Sequence, residues 1–332
     1  MQTEVTSFWE WQQHFSDEMP CLKALVKLRW SDGFVCECCG HPKGWLLQTC
    51  HVYECAVCHH HASITSGTLF HNTKLPLVKW FWCIYWMSKD KGSILALRLT
   101  KLIGVSWITA QRMLRKLRVA MGDQNRLYRL EGIIELDDAF VGGKRPGKRG
   151  RGAEGKTAIL VACEHNNGRS GFVVMKAVDQ VTQDNVKAFA QGAIAPGQIL
   201  HNDAFAALRV LAEGHHHVAK VTPLELSDEW LSWVHIVISN FKSYVLGTYH
   251  GISGRYMQEY LDEFCYRLNQ RFWENQIPNR LLKLCAHPSA GFSATCDLLI
   301  AILPNTPNYS ITGNANKRDL DFYLLSLLPR NI

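Results

Sequence analysis

This sequence predicts a mixed α/β fold, in which a sheet-containing domain follows a small cysteine-rich module and a helical region. Three observations lead to this prediction. Residues 31–73 are rich in Cys, His and Gly, residues 75–121 keep apolar side chains at helical spacing, and after Gly122 the pattern alternates between strands and helices. With 332 residues, 47% hydrophobic and 20% charged, the composition is that of two or three packed globular domains.

These changes of pattern divide the chain into five segments. Apolar residues from Phe8 to Phe15, and again from Leu22 to Leu28, recur at helical spacing and predict one or two short helices at the amino terminus. The segments are the amino-terminal helices of residues 1–30, a zinc ribbon over 31–73, a helical region over 74–122, an α/β domain over 130–285, and a tail of unknown role over 286–332.

The cysteine-rich segment has the spacing of a tetrahedral zinc site. Two Cys-x-x-Cys pairs separated by fifteen residues supply four thiolates, which suit zinc in a ribbon of short strands: Cys36, Cys39, Cys55 and Cys58. Free cysteines in a reduced core are the alternative. Cys38 is an alternative to Cys39 as the second zinc ligand of the first pair. The histidines at 59–61 are candidates to replace a thiolate, although we expect them to be solvated.

The helical segment contains a basic pair of helices around Gly104. This glycine ends one helix and Ser106 can cap the next. Between residues 98 and 118 there are six Lys or Arg and no acid, so the second helix is a candidate to enter a DNA major groove. Its expected DNA contacts are Arg112, Arg115 and Lys116. An ordinary helical hairpin with a solvated basic face explains the pattern nearly as well.

The α/β domain has a recognisable order of elements. We expect strands over 132–141, 157–164 and 171–178, then a helix over 183–193, a strand over 198–202, a helix over 204–213, a strand over 217–222 and a helix over about 234–246. This succession is typical of a ribonuclease-H-like domain, with a mixed five-stranded sheet and flanking helices.

A flexible basic loop follows the first of these strands. Residues 142–152 contain five cations among glycines, and Lys156 comes close behind: the five are Lys144, Arg145, Lys148, Arg149 and Arg151. Such cations release counterions from a nucleic-acid backbone, so we expect this loop to bind DNA, although a solvated hairpin tip would look the same.

Three short oxygen-bearing side chains, Asp137, Asp203 and Asn240, fall near strand ends or on a helix of this domain. Phosphoryl transfer needs charge neutralisation at two oxygens, which two Mg²⁺ or Mn²⁺ ions bridged by a carboxylate provide. Asp137 suits the bridging role, and the amide oxygen of Asn240 is an uncharged ligand. Structural alternatives are a helix cap for Asp203 and a helix-surface amide for Asn240.

Several motifs in the α/β domain occur together in a known order. They are Glu135-Leu136-Asp137-Asp138-Ala139-Phe140-Val141-Gly142-Gly143-Lys144, then residues 152–157, Gly247-Thr248-Tyr249-His250-Gly251, and Tyr260-Leu261-Asp262-Glu263-Phe264-Cys265-Tyr266-Arg267. From the ribbon to about residue 284 the chain resembles the ISXO2-like group of bacterial insertion-sequence transposases.

The resemblance implies a DNA transposase with a ribonuclease-H-like catalytic domain. Its ribbon and helical region would bind terminal inverted repeats, and its metal-dependent core would cut DNA ends and join them to a target. Asp137 and Asp203 match the catalytic aspartates, Asn240 occupies the third position, and Lys242 follows it as in the asparagine branch of the group. Asp138 departs from the usual glutamate, and the tail matches nothing in the group.

Two rival functions remain at this stage. One is an inactive, domesticated transposase that regulates by binding DNA, and the other is a ribonuclease-H-like nuclease without strand transfer. The net charge of +7 favours a polyanionic partner. We expect double-stranded DNA, a homo-oligomer on that DNA, no membrane, and the reducing cytoplasm of a bacterial cell near the nucleoid, because Met1-Gln2-Thr3-Glu4 opens no signal segment.

Overall fold

A computed structural model describes residues 7–47, 50–90, 92–142, 155–166, 168–203, 205–219 and 230–286. The cations predicted for the basic loop, Lys144, Arg145, Lys148, Arg149 and Arg151, lie outside the described residues, as does the predicted tail from residue 287 onward. None of the described helices combines the length and the hydropathy needed to cross a bilayer.

The amino-terminal helices form because polar residues cap them and apolar residues face inward. Helix α1 (Phe8–His14) begins with a capping box between Ser7 and Glu10, and α2 (Glu18–Arg29) begins at Asp17, whose carboxylate accepts the N–H of Met19. Both helices pack in one core with α3 (Leu77–Lys89). Trp11 is fully buried there, and its indole N–H donates to the carbonyl of Phe81 at 3.1 Å.

The ribbon is a small antiparallel sheet of β1 (Gly44–Leu47), β2 (Val52–Cys55) and β3 (His61–Ser63), in that order. Its own core is small and contains Phe34 and Cys55. Gly44 is required here, because a Cβ at this position would lie 2.4 Å from the carbonyl oxygen of Glu54 on the paired strand.

The predicted helix pair is present as α4 (Ala96–Ile103) and α5 (Trp107–Asn125). Gly104 ends α4 in the left-handed conformation, with φ of 64°, which a residue with a side chain rarely adopts. Ser106 then accepts the N–H of Thr109 at 3.2 Å and starts α5. Gly104 and Ser106 therefore form the connection between two helices that the sequence predicts.

The second half of the chain folds around a five-stranded sheet with strand order β6-β5-β4-β7-β8. Strands β4, β5 and β6 are antiparallel neighbours, whereas β7 and β8 run parallel to β4. This arrangement confirms the expected ribonuclease-H-like fold class. The elements are β4 (Ile133–Val141), β5 (Thr157–Asn166), β6 (Arg169–Val178), α6 (Gln183–Ala193), β7 (Ile199–Asn202), β8 (His216–Ala219), α7 (Ser232–Tyr244), α8 (Met257–Asn269) and α9 (Ile277–Ala286).

One connection differs from its prediction. A helix is expected over 204–213, and the structure has a 3₁₀ helix, Ala206–Glu213, that begins later. The Asp203 carboxylate accepts the N–H of Phe205 at 3.1 Å, so the chain turns beyond β7 before the helical turns begin.

The two faces of the sheet pack against different helices. Alternate residues of β4 point to opposite faces, so Ile134 and Leu136 join a core with α6, while Ala139 and Val141 join a core with α7 and α8. The odd-numbered residues of β4 therefore face α7.

Helix α9 returns to the amino-terminal core. Its Leu281 and Cys285 are buried in the same cluster as Phe70 and Leu77, and the carbonyl of Cys285 accepts the N–H of Leu69 at 3.1 Å. Residues 1–30, 74–122 and the last helix of the α/β domain, which the sequence places in separate segments, thus share one core among the described residues.

Candidate functional site

The pairing of β4 with β7 carries Asp137 and Asp203 toward the same part of the sheet. Strands β4 and β7 pair in parallel, with Ile133 opposite Ile199 and Glu135 opposite His201. Asp137 follows Glu135 by two residues, on the face of the sheet that α7 covers. Asp203 follows His201 by two residues, directly after the end of β7 at Asn202, so each aspartate lies two positions beyond the last residue pair of β4 and β7.

Helix α7 is fixed to β4 by the side chain of Glu135, which is only 1% exposed. One carboxylate oxygen of Glu135 accepts the backbone N–H groups of Trp233 and Val234, at 2.8 and 2.9 Å. The other oxygen lies 3.1 Å from Nδ1 of His165. Because the first turn of a helix has unpaired N–H groups and a positive dipole end, this carboxylate serves as its cap from a neighbouring strand.

A cavity of about 550 Å³ opens beside Asp137, between the end of β4 and α7. One wall of this cavity is a face of α7 whose residues recur at positions i, i+4 and i+7, and another wall is β4, the strand that carries Asp137. The lining residues are Asp137, Asp138, Ala139, Phe140, Lys156, His235, Ile238, Ser239 and Lys242. Lys156 and Lys242 add positive charge to the lining of the cavity that contains Asp137, as a site for a phosphate backbone requires.

His235 on α7 contacts the side chain of Asp137. Its Nε2 lies 3.3 Å from Oδ2 of Asp137. His235 and Ser239 belong to no motif that marks them in the sequence, although both share a helical face with Lys242 and this spacing is readable from the sequence.

Asp203 and Asn240 are not among the residues that line this cavity. Asp203 is half-buried and turns one carboxylate oxygen toward the N–H of Phe205. Asn240 is exposed and follows Ser239, so it lies about 100° around α7 from that cavity-lining residue. Asp137 and Lys242 thus line one cavity, Asp203 directly follows the end of the neighbouring strand, and Asn240 lies on an outer part of α7.

The predicted DNA contacts on α5 have different surroundings. Arg112 is exposed and Lys116 is half-buried. Arg115 instead pairs through two nitrogens with the carboxylate of Glu259 on α8, with the shortest N–O distance 2.7 Å, and stacks on the ring of Tyr256. Its guanidinium is therefore committed to a contact within the protein, because α8 presents an acid opposite it.

The exposed start of α5 carries apolar residues beside the basic ones. Trp107 and Ile108 are 36% and 38% exposed, directly after the Gly104 turn. The amino-terminal residues of the second helix are those that reach base edges in helix-turn-helix proteins, so this end of α5 is the candidate DNA-reading surface.

The four predicted zinc ligands come together in the ribbon. The Sγ atoms of Cys36, Cys39, Cys55 and Cys58 all lie within 4.8 Å of one another, and the Cys36–Cys58 and Cys39–Cys55 pairs are 3.5 Å apart. Tetrahedral zinc with bonds of about 2.3 Å needs sulfurs about 3.8 Å apart. The backbone N–H of Cys58 lowers the pKa of the Cys55 thiol to about 6, which favours the thiolate that binds metal.

The other candidates of the ribbon lie outside this group. Cys38 is exposed and does not belong to the four-sulfur cluster. His59 and His61 contact the Glu54 carboxylate instead, with the His59 Nδ1 atom 2.8 Å from an oxygen, and this hydrogen bond lowers the pKa of Glu54. The four cysteines that the sequence predicts as zinc ligands are therefore the four that the fold brings together.

Comparisons with known proteins match two parts of the chain. The family model of the ISXO2-like transposase domain matches residues 129–269, and the model of the transposase zinc-ribbon domain matches residues 16–61. The chain is also similar to an uncharacterized protein in transposable element ISH50 of Halobacterium salinarum, at 25% identity over 218 residues, which cover 58% of this chain and 73% of that protein. No solved structure matches the chain significantly.

Proposed function

This chain belongs to the insertion-sequence transposases, and we propose that it binds the terminal inverted repeats of a mobile element and cuts and joins DNA strands. It belongs to that class because it contains both a transposase zinc ribbon and an ISXO2-like transposase domain. The observation that carries the proposal is the cavity beside Asp137, where a carboxylate of the central strand faces Lys156 and Lys242. A carboxylate next to two cations suits a site that receives both metal ions and phosphates.

We assign the metal-binding positions to Asp137, Asp203 and Asn240. The residues suit hard divalent cations, because Asp137 and Asp203 offer carboxylates two positions beyond the last pair of β4 and β7, and Asn240 offers an amide oxygen. Two Mg²⁺ or Mn²⁺ ions bound there would neutralise charge at the attacking and leaving oxygens of phosphoryl transfer.

The protein's own cations position the DNA. Lys156 and Lys242 hold phosphates at the cavity. The basic loop, with Lys144, Arg145, Lys148, Arg149 and Arg151, lies in the sequence between β4 and Lys156, and in this proposal it grips the backbone beside the site. Arg112 and Lys116 on α5 contact the phosphates of the element's ends while the start of that helix reads bases.

The test compares purified, zinc-loaded protein with its Asp137→Ala variant on DNA that carries the element's ends, in Mg²⁺ and in Mn²⁺. We expect cleavage and joining to fall by more than about 100-fold, because loss of even an outer partner of a metal site costs 10–100-fold. DNA binding should persist. Asp179→Asn, an exposed aspartate after β6, is the matched control and should leave all activities unchanged.

Three outcomes would contradict the proposal. Binding of the ends without cleavage in either metal would indicate an inactive regulator. Cleavage of RNA–DNA hybrids or branched DNA, with no preference for the ends and no joining, would indicate a nuclease. Full activity of Asp137→Ala would show that the metal positions are wrong.

A further inference from the structure

The side chains of His235 and Asp137 meet at the cavity in a way that suits a shared metal ion. Their Nε2 and Oδ2 atoms are 3.3 Å apart, and the two side chains are 31% and 14% exposed, so both are reachable from the cavity they line. Two ligands that occupy neighbouring corners of an octahedron at about 2.1 Å from a cation lie about 3.0 Å apart. The observed separation is close to that edge.

The position of His235 is fixed by the fold. It lies in the first turn of α7, immediately after Trp233 and Val234, whose N–H groups Glu135 holds. Glu135 belongs to the same strand as Asp137, two residues earlier on the same face. The strand and the helix therefore cannot separate at this point without breaking two hydrogen bonds to the buried carboxylate of Glu135.

Asn240 is placed differently on the same helix. Five residues beyond His235, it lies about 7.5 Å farther along the helix axis and about 140° around it. It is exposed and does not line the cavity, whereas His235, Ser239 and Lys242 do. Of the two candidate donors on α7, His235 is the one that reaches Asp137.

We infer that His235 is a metal-ligating residue of the Asp137 site, supplying an imidazole nitrogen to the cation that this carboxylate binds. The inference rests on the proposed function, and it deepens it by naming a ligand from α7 other than the amide. A nitrogen ligand also changes the metal preference, because imidazole favours transition-metal ions over Mg²⁺ relative to an all-oxygen site.

The test measures Mn²⁺ binding to the full-length, zinc-loaded protein without DNA, by calorimetry and by electron spin-echo spectroscopy, which detects a nitrogen bonded directly to Mn²⁺. The variants are His235→Ala, His235→Gln, Asn240→Ala and Asp137→Ala. We expect the wild type and Asn240→Ala to show imidazole modulation and both His235 variants to lose it. His235→Ala should weaken Mn²⁺ binding by about 10-fold or more.

His235→Gln separates ligation from positioning. Its amide can still donate to Asp137, so restoration of both Mn²⁺ affinity and cleavage would mean that the histidine only orients the carboxylate, and the inference would be wrong. The absence of nitrogen modulation in the wild type, or a loss of Mn²⁺ affinity in Asn240→Ala alone, would also overturn it. Circular dichroism and unfolding midpoints check that each variant is folded.

Asp137→Ala distinguishes failure of this inference from failure of the proposed function. If Asp137→Ala binds Mn²⁺ as the wild type does, the metal site itself is misplaced. If Asp137→Ala loses Mn²⁺ binding while the wild type shows no nitrogen signal, the metal site at Asp137 is supported and only the role inferred for His235 is wrong.

Discussion

At the scale of single residues, Glu135 has a large effect on the geometry of the site. Its buried carboxylate joins the central strand to the first turn of α7, and so determines where His235 and Lys242 stand relative to Asp137. Buried N–H groups left without an acceptor destabilise a fold, so this contact contributes to the stability of the protein as well as to the position of α7.

Replacing Glu135 should loosen α7. We expect Glu135→Ala to lower the free energy of unfolding by about 2–4 kcal/mol, because two backbone donors and His165 lose their acceptor. Glu135→Gln keeps one acceptor oxygen and should cost less. Urea unfolding measures both, with Glu131→Gln, an exposed neighbour, as the control. Equal stability of Glu135→Ala and the control would contradict this account.

The zinc ligands allow a similarly local test. Cys55→Ser should abolish stoichiometric zinc binding and unfold the ribbon, because a structural zinc site contributes folding free energy directly. Cys38→Ser, which changes an exposed thiol outside the cluster, should keep its zinc. Metal analysis and circular dichroism report the result, and zinc retained by Cys55→Ser would show that another residue completes the site.

Residues whose role depends on local spacing are predictable from the sequence, and those that depend on long-range contacts are not. The Cys-x-x-Cys pairs, Gly104 and Ser106 have patterns that near neighbours determine. Glu135 acts on Trp233 and Val234, nearly a hundred positions away, and a single glutamate in an apolar strand gives no indication of that partner. The spacing of His235 with Lys242 is visible in the sequence, but its contact with Asp137 on a distant strand is not.

At the scale of elements, α5 and α8 are joined through buried charge. Arg118 is paired with Glu263 at 2.8 Å, with the two side chains 2% and 0% exposed, and it lies over the ring of Tyr260. Arg115 pairs with Glu259 one turn away. Part of the positive charge that suggests DNA binding in the sequence is therefore used to hold α5 against the ISXO2-like transposase domain.

This division of roles predicts opposite effects for two arginines of one helix. Arg118→Ala should destabilise the protein by about 3–5 kcal/mol, because it removes the 2.8 Å partner of the buried Glu263 carboxylate, whose contact with Arg267 is longer, at 3.7 Å. Arg112→Ala should leave stability within about 0.5 kcal/mol and weaken DNA binding, reducing the salt dependence by about one phosphate contact. Urea unfolding and binding titrations at several salt concentrations separate the two, and exchanged effects would contradict the assignment.

The same interface contains a pH-sensitive group. Burial raises the pKa of Asp262 on α8 to about 6. Because the folded pKa exceeds the unfolded value of 3.8, the contribution of this group is fully present below about pH 4 and is lost as the pH rises through 6.

Asp262→Asn should remove that pH dependence. The difference in unfolding free energy between the variant and the wild type should shift in favour of the variant by up to about 3 kcal/mol from pH 4 to pH 8. Other titrating groups cancel in this difference. A constant difference across that range, measured by urea unfolding, would show that Asp262 titrates normally in the folded protein.

At the scale of the whole molecule, the order of elements is readable from the sequence and the division into cores is not. The periodicities predict the strands and helices of the α/β domain in sequence, and the sheet order confirms its fold class. Periodicity reports which face of a helix is apolar but not what covers it. The sequence therefore groups residues 277–285 of α9 with the domain that precedes them, although the apolar residues of this helix complete the amino-terminal core.

That placement of α9 has a consequence for how the chain is made. Leu281 is translated roughly 200 residues after Phe70, its companion in the core. At about 5–20 residues per second, the ribosome takes about 10–40 s to deliver it. During this interval the nascent helices near the amino terminus expose apolar surface, and a polypeptide released before α9 is translated never buries it. Only a chain that includes α9 can complete the core that supports α5.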